Sequence, residues 1–197
     1  MDNYPVTTTP EHAAQAADNT VPATGITTEN LQLDEMSSTE VDALIIQQRL
    51  PDWAEDFPQP MDYDAARQFF EEGLMVAAGH ALATRLLRER STSEVVGTIG
   101  FLPVPEPGAV EVSYSVVPSR RGRGYATEAL IALAHNAFEH PDITMVTAST
   151  EADNTASVEL LLTAGFLPVD GPGLSLHFVL RRPQLPDDTA QAPAASL

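Results

Sequence analysis

The sequence predicts an α+β domain, in which helices cover both faces of a mixed, mostly antiparallel sheet. Three strand-like runs at 80–87, 95–102 and 110–117 are separated by short segments that contain turn residues. Such short connections favour antiparallel pairing, because a parallel crossover needs a dozen or more residues. Two helices precede these strands and helices alternate with strands after them, which predicts the order β-α-α-β-β-β-α-β-α-β-β.

The elements before the three strands are predicted from apolar periodicity. A short strand opens the domain, and Ser38 is expected to cap the first helix. A Pro-rich bend over 50–60 ends that helix, and a second helix is expected over 64–75. The apolar residues that support these assignments are Leu31, Leu33, Met36, Val41, Leu44, Ile45, Leu50, Ala65, Phe69, Phe70 and Leu74.

The elements after the three strands follow the same logic. A helix is predicted over 124–139, a strand over 143–149, a helix over 155–164 that stops at Gly165, and strands over 166–169 and 174–180. The buried stripe of the longer helix is expected to consist of Ala126, Leu130, Leu133, Ala134 and Ala137.

Both ends of the chain lack apolar periodicity. Residues 1–29 are predicted to be a flexible leader and 183–197 a disordered tail, which leaves a single ordered domain over 30–182. No apolar run approaches the roughly 20 residues that cross a bilayer, and the N-terminus has no signal-peptide pattern. We therefore expect a soluble cytoplasmic protein with no membrane partner.

The composition excludes several kinds of chemistry. The 197 residues include no cysteine, and all ten basic side chains are arginine against 28 acidic ones, which gives a net charge of −18. Cysteine nucleophiles, thiolate metal sites and lysine-based catalysis are excluded, and no metal is expected. A chain this acidic repels nucleic acid, so cations are the more natural partners.

One segment combines a strand end, glycines, arginines and a helix start. Its core is Arg121-Gly-Arg-Gly-Tyr-Ala126. Glycines allow a ligand to approach the backbone, and the unpaired N–H groups of a helix start attract anions, so the segment predicts a polyphosphate site. Three alternatives remain: a dinucleotide fingerprint, which Thr127 at the third glycine position disfavours, an RNA-binding Arg-Gly motif, or an ordinary surface loop.

The segment resembles the acetyl-CoA signature R/Q-x-x-G-x-G/A of the GNAT acetyltransferases, with Arg121, Gly124 and Ala126 at its fixed positions. The preceding Val-Glu-Val-Ser-Tyr-Ser-Val-Val-Pro and the following Ala-Thr-Glu-Ala-Leu are similar to the RimJ/RimL branch. A second match, from Asn154 to Phe166, is similar to the family's N-x-x-S run that ends in Gly-Phe. The resemblance implies a GNAT-type sheet, acetyl-CoA as co-substrate, and transfer of an acetyl group to a primary amine.

The resemblance also implies which residues hold the coenzyme. The amides of residues 121–126 are expected to hold the pyrophosphate, and the strand ending at 116–117 is expected to diverge from its neighbour and bind the pantetheine arm. Asn154 either contacts the pantetheine or caps the next helix, and the two roles are compatible. The implied set is Val116, Val117, Arg121, Gly122, Arg123, Gly124, Tyr125, Ala126, Thr127 and Asn154.

The chemistry needs a base for the amine and a proton donor for the thiolate. Without cysteine or lysine, direct transfer in a ternary complex is expected. Leu161 occupies the place at which many GNAT enzymes have an acidic tyrosine, so Ser157 is the candidate donor, or else only a helix serine. Glu111 is the candidate base or a solvated strand carboxylate, and His177 is the second candidate.

The acceptor side is predicted from one loop. Trp53, flanked by carboxylates, is a candidate for binding a cationic amine through its ring face, or else it fills the domain edge. The acceptor is expected to be a peptide N-terminus or a small cationic amine, and the protein a monomer or homodimer. The alternative is an inactive acyl-CoA-binding sensor or regulatory module.

Overall fold

The computed structural model describes residues 25–71, 84–104 and 106–183. Its strands are β1 (Ile26–Thr27), β2 (Leu31–Glu35), β3 (Arg85–Glu89), β4 (Val95–Pro103), β5 (Ala109–Val116), β6 (Met145–Thr150), β7 (Leu167–Val169) and β8 (Leu176–Arg181). Its helices are α1 (Ser38–Ile45), α2 (Pro60–Glu71), α3 (Tyr125–Phe138) and α4 (Thr155–Thr163), with a 3₁₀ turn at Pro118–Arg120.

The eight strands form one open sheet in the order β1-β2-β3-β4-β5-β6-β8-β7. All neighbours are antiparallel except β5 and β6. This parallel pair is joined by α3, which provides the long crossover that parallel strands require. The predicted α+β class with a mixed, mostly antiparallel sheet is therefore confirmed.

The parallel pair separates part-way along its length. β5 and β6 are paired only from Ala109↔Met145 to Glu111↔Thr147. Beyond this point β5 stays paired with β4 as far as Val116↔Gly97, and β6 stays paired with β8. The two strands therefore diverge after Glu111 and leave an opening in the middle of the sheet.

The two faces of the sheet carry different helices. Side chains alternate along β5, so Ser115 points to the face opposite Tyr114. Ser115 bonds to Asp62 of α2, whereas Tyr114 contacts Ser157 of α4. α3 packs on β2, β4 and β5, and against α4. Helices therefore cover both faces, as predicted.

The buried stripe of α3 differs from the prediction at one position. Leu130 and Leu133 have no exposed surface, and Ala134 and Ala137 are also buried. Ala126 is only half-buried, and Ala129 is fully buried instead. Ala126 lies in the first turn, where the helix begins to emerge from the core.

Ser37 caps α1, so the prediction of Ser38 is wrong. The Ser37 side chain accepts a hydrogen bond from the Glu40 amide at 3.3 Å, and Glu40 Oε2 accepts from the Ser37 amide at 2.7 Å. This reciprocal pair is a capping box, which the spacing Ser-x-x-Glu identifies as Ser37 rather than its neighbour. The helix ends at Ile45, so Leu50 lies beyond it.

Other boundaries also shift. α2 begins at Pro60 rather than at 64, because proline suits the first helical position, where no N–H is needed. β3 begins at Arg85. Residues 72–83, with Leu74 and the first part of the strand predicted over 80–87, lie outside the described residues, as do the side chains of Ala65, Phe69 and Phe70.

At the chain ends, β1 lies within the stretch predicted to be leader, where it pairs with β2. Residues 1–24 and 184–197 lie outside the described residues, so the predicted leader is described only from Gly25 and the tail only at Pro183. No helix in the described part of the chain has the length and apolar character needed to cross a membrane.

The capping box predicts a difference between two adjacent serines. Ser37→Ala removes the cap of α1 and should lower the free energy of unfolding by about 1 kcal/mol. Ser38→Ala should change it by less than about 0.5 kcal/mol, because Ser38 already lies inside the helix. Urea unfolding of both variants measures this, and equal losses would contradict the assignment.

Candidate functional site

The loop before α3 is built on two glycines with left-handed backbone. Gly122 has φ 73° and Gly124 has φ 79°, a conformation that other residues adopt only at a cost. Both are exposed, and a Cβ atom placed on either would have no heavy atom within 4 Å. The glycines are therefore required by the backbone path of the loop, and the space beside them is open to a ligand.

The loop presents a series of unused backbone donors. Within the described part of the chain, the amides of residues 122–127 donate to no protein acceptor. α3 begins at Tyr125, so these donors include the unpaired first turn and the positive end of the helix dipole. The Arg121 amide is already bonded to Pro118 O at 3.3 Å, so the predicted set of free amides begins one residue later.

A buried carboxylate, Glu89 at the end of β3, holds the loop in place. The residue is 2% exposed. It accepts hydrogen bonds from Arg120 Nε at 2.9 Å, Arg123 Nη1 at 3.2 Å, Thr92 Oγ1 at 3.0 Å and the Tyr125 hydroxyl. Burial alone raises the pKa of Glu89, but the hydrogen bonds from Tyr125, Arg120 and Thr92 outweigh burial and lower the pKa to about 2.

This network changes the predicted roles of the arginines. The Arg123 side chain bonds to Glu89 and does not line the cleft, so only its free amide is available to a ligand, and the role of Arg123 in binding stays a prediction. Arg121 lines the cleft, and its Nε donates to Val116 O at 3.0 Å. Sequence reasoning missed Glu89, because a single carboxylate at a strand end does not show which distant cations it will meet.

The exposed backbone of β5 belongs to Val116 and not to Val117. The Val117 amide donates to Val96 O at 2.9 Å, its carbonyl accepts from the Arg120 amide at 3.0 Å, and the residue is 1% exposed. Because hydrogen-bonding directions alternate along a strand, the backbone of Val116 faces the opening beside β6. The prediction of Val117 as a binding residue is therefore wrong.

A cleft of about 530 Å³ passes through the opening in the sheet. Its lining comes from the loop, the start of α3 and one side of α4, and also from Gln59 and Met61 at the start of α2. The predicted residues that line the cleft are Val116, Arg121, Gly122, Gly124, Tyr125, Ala126, Thr127, Asn154 and Ser157.

The start of α4 brings two predicted residues together. Asn154 caps the helix, because its Oδ1 accepts a hydrogen bond from the Ser157 amide at 3.2 Å, and both residues line the cleft. The Ser157 hydroxyl interacts with the phenol of Tyr114. Burial raises the pKa of Tyr114, and the bond from Ser157 offsets only part of this rise. The phenol therefore stays protonated at neutral pH.

Sequence comparison agrees with this geometry. Residues 30–167, well over half of the chain, match the acetyltransferase (GNAT) domain family. The chain belongs to the GNAT acetyltransferase family. The predicted family is therefore confirmed.

The GNAT chain has curated relatives in Bacillus. It is 31% identical over 108 residues to the uncharacterized N-acetyltransferase YjdG of Bacillus subtilis, a match that covers 54% of this chain and 64% of the relative. It is 33% identical over 78 residues to the uncharacterized N-acetyltransferase p20 of Bacillus licheniformis, with 39% and 44% coverage. The chain thus spans less than two thirds of the length of these relatives.

Solved structures share the GNAT fold. An acetyltransferase from Agrobacterium tumefaciens superposes with a TM-score of 0.62 at 20% identity, covering 81% of this chain and 95% of that one. RimL, a ribosomal L7/L12 α-N-protein acetyltransferase in complex with coenzyme A, superposes with a TM-score of 0.58 at 18% identity, covering 80% and 98%. At these identities the likeness shows the fold.

Two GNAT residues predicted to act on the acceptor are bonded elsewhere. Glu111 is the last β5 residue paired with β6, and its carboxylate accepts from Ser149 Oγ at 2.6 Å. His177 on β8 lies 2.8 Å from Pro172 O through its Nε2. Neither residue lines the cleft. No observation tests either residue as the base, so both roles stay predictions.

Trp53 does not reach the cleft of this GNAT domain, so its predicted contact with the acceptor is wrong. The residue is 1% exposed, and its ring packs edge-on against Phe57 with 5.0 Å between centroids. The adjacent backbone pairs with Val95, since the Ala54 amide donates to its carbonyl at 2.9 Å. Trp53 fills the domain edge, because burying its large ring stabilises the fold more than leaving the ring exposed to solvent.

The Glu89 network predicts a pH-dependent contribution to stability. Because the pKa of Glu89 falls from 4.5 to about 2, the charged form stabilises the fold above pH 4.5, and this contribution fades as the pH falls towards 2. Glu89→Gln should therefore cost up to about 3 kcal/mol at pH 7 and less at pH 3.5, as measured by urea unfolding.

Glu94→Gln is the matched control. Glu94 also pairs with Arg120, at 2.7 Å, but its side chain is 40% exposed. Its removal should cost less than about 1 kcal/mol. If the free energies of unfolding of the wild type and Glu89→Gln differ by the same amount at pH 7 and pH 3.5, the assigned role of the Glu89 charge is contradicted.

Proposed function

We propose that this GNAT protein transfers the acetyl group of acetyl-CoA to a primary amine. The observation that carries the proposal is the run of unbonded amides at residues 122–127, around two left-handed glycines and at the start of α3. A helix start with free N–H groups is suited to a pyrophosphate. The same cleft continues to the opening where β5 and β6 diverge.

The residues of the cleft fit coenzyme A. The amides of Gly122, Gly124 and the first turn of α3 would hold the pyrophosphate, and Arg121 would add the one arginine of the loop that no carboxylate neutralises among the described residues. The Thr127 hydroxyl and Asn154 line the same cleft. The Val116 amide would bind the pantetheine arm, because its carbonyl already accepts from Arg121 Nε at 3.0 Å.

The composition favours direct transfer. The chain has no cysteine, and all its basic residues are arginine, so neither a thiol nor a lysine amine can carry the acetyl group. Bound acetyl-CoA supplies a thioester that a neutral amine attacks. The protein must then orient the amine, accept its proton and supply a proton to the sulfur.

Ser157 and Tyr114 are the proton source in this proposal. Ser157 lies in the first turn of α4 and lines the cleft, and Tyr114 contacts its hydroxyl from β5. A tyrosine phenol carries its proton at neutral pH, and burial raises the pKa of Tyr114 further, so Tyr114 can replace the proton that Ser157 gives up. Sequence reasoning missed Tyr114, because its partner lies 43 residues further along the chain.

The acceptor class rests on charge and on a likeness. A chain with net charge −18 attracts amines, which arrive as cations. The fold is shared with RimL, named as an acetyltransferase of protein α-amines. We therefore assign either a peptide N-terminus or a small cationic amine as the acceptor.

Coenzyme binding tests the loop assignment. Gly124→Glu places a carboxylate among the free amides and should weaken acetyl-CoA binding at least about 100-fold, as measured by titration calorimetry. Gly173→Glu is the matched control, because Gly173 has φ 82°, equally open surroundings and a place outside the cleft. It should leave the affinity within about twofold, and an unchanged affinity of Gly124→Glu would refute the proposed site.

Thiol release in the presence of acetyl-CoA tests the activity. The panel consists of a short peptide with a free N-terminus, spermidine and an aminoglycoside. Release with at least one of them is expected. Tight acetyl-CoA binding with no release from any of them would overturn the transferase proposal in favour of an acyl-CoA sensor.

Two conservative variants test the proton source. Ser157→Ala and Tyr114→Phe should each lower kcat by about 10- to 100-fold, because general-acid groups contribute on this scale. The Kd of acetyl-CoA should change by less than about threefold, since each variant removes only one hydroxyl group. If kcat of Ser157→Ala equals that of the wild type, Ser157 is not the donor.

A further inference from the structure

Asp62 is a buried carboxylate with no part in the proton donation assigned to Ser157 and Tyr114. It lies in the first turn of α2 and is 5% exposed. Its Oδ2 accepts a hydrogen bond from the Gln59 amide at 2.8 Å. Its Oδ1 accepts from Thr98 Oγ1 at 3.1 Å and from Ser115 Oγ. Oδ2 thus accepts a hydrogen bond at the start of α2, and Oδ1 accepts from two hydroxyl groups on the sheet.

The two hydroxyl groups differ in their access to the cleft. Thr98 and Ser115 are directly opposite each other on β4 and β5, with 3.2 Å between their oxygens. Ser115 lines the cleft, together with Gln59 and Met61, whereas Thr98 does not. Ser115 lies on the sheet face opposite Tyr114 and Ser157. The cleft therefore has a second side, beside α2, that the proposed coenzyme residues do not occupy.

The charge of Asp62 has no cationic partner among the described residues, where its hydrogen-bond donors are an amide and two hydroxyl groups. Glu89, the other buried carboxylate beside the cleft, is neutralised by Arg120 and Arg123. Buried charges are normally paired, so the environment of Asp62 favours a cation from outside the chain. An acceptor that arrives as an ammonium ion has this charge.

We propose that the acceptor amine binds beside α2 and passes its proton through the Ser115 hydroxyl to Asp62, an assignment that rests on the proposed function. The incoming ammonium first loses one proton to solvent, which leaves the neutral nucleophile. As its nitrogen bonds to the acetyl carbon and the carbon–sulfur bond breaks, a second N–H proton must leave.

As the new carbon–nitrogen bond forms, Ser115 Oγ takes this second proton from nitrogen and gives its own to Asp62 Oδ1. Asp62 returns the proton to solvent after the product leaves. The thiolate takes a proton from Ser157, which Tyr114 and then solvent replace. Ser115 is the group in contact with the substrate, and Asp62 is the positioning residue and final acceptor.

A purely structural role makes a different prediction. Asn at position 62 can still accept the Gln59 bond through its oxygen and donate from its amide to the two hydroxyl groups, so the contacts are preserved while the proton acceptor is lost. If Asp62 only ties α2 to the sheet, Thr98 and Ser115 are equivalent partners. If it receives a proton from the substrate, only Ser115 matters for turnover.

The experiment uses the full chain and the amine of the panel that the wild type acetylates. Ser115→Ala and Asp62→Asn should each lower kcat by about 10- to 100-fold, and the double variant should be no slower than the slower single variant by more than about twofold. The Kd of acetyl-CoA, by calorimetry, and the thermal midpoint should match the wild type.

Thr98→Val is the matched control, because it removes the other hydroxyl bond to the same oxygen. Its kcat should stay within about twofold of the wild type. An unchanged kcat in Ser115→Ala, or an equal loss in Thr98→Val, would overturn the relay while leaving the transferase proposal intact. No thiol release by the wild type with any amine would overturn the transferase proposal, and the relay with it.

Discussion

The ion-pair network around Glu89 is the interaction on which the site depends. A carboxylate that is 2% exposed is unfavourable without donors, and here Arg120, Arg123, Tyr125 and Thr92 supply them. These bonds connect β3 to both ends of the loop before α3. Hydrogen bonds from its side chains therefore hold the loop in place. The backbone amides of the loop stay unbonded and available to a ligand.

The divergence of β5 and β6 determines where the two substrates of the proposed transferase would meet. Pairing stops at Glu111, and each strand then follows its other neighbour. An opening in the middle of a sheet gives access from both faces, which no edge or surface groove provides. The free amides and α4 lie on one side, and α2 with Asp62 lies on the other, so donor and acceptor groups can approach from opposite directions.

Local ion pairs, rather than the net charge, decide which parts of the cleft attract anions and which attract cations. The net charge of −18 opposes the binding of a polyphosphate, and two of the three loop arginines are used to neutralise Glu89. The positive potential at the loop therefore comes from backbone amides, the dipole of α3 and Arg121. On the other side of the sheet, the Asp62 carboxylate has only an amide and two hydroxyl groups as hydrogen-bond donors among the described residues.

The sequence alone determined the order of the elements apart from β1, the loop with its helix start and the cap at Asn154, because periodicity, glycine backbone and capping act within a few residues. It could not determine that Trp53 is buried, that the Val117 backbone is bonded, or that Glu89 and Asp62 accept hydrogen bonds from residues that line the cleft. Val96, Arg120 and Ser115, which bond to Val117, Glu89 and Asp62, lie 21, 31 and 53 residues away from them, and only packing of the whole sheet brings them together.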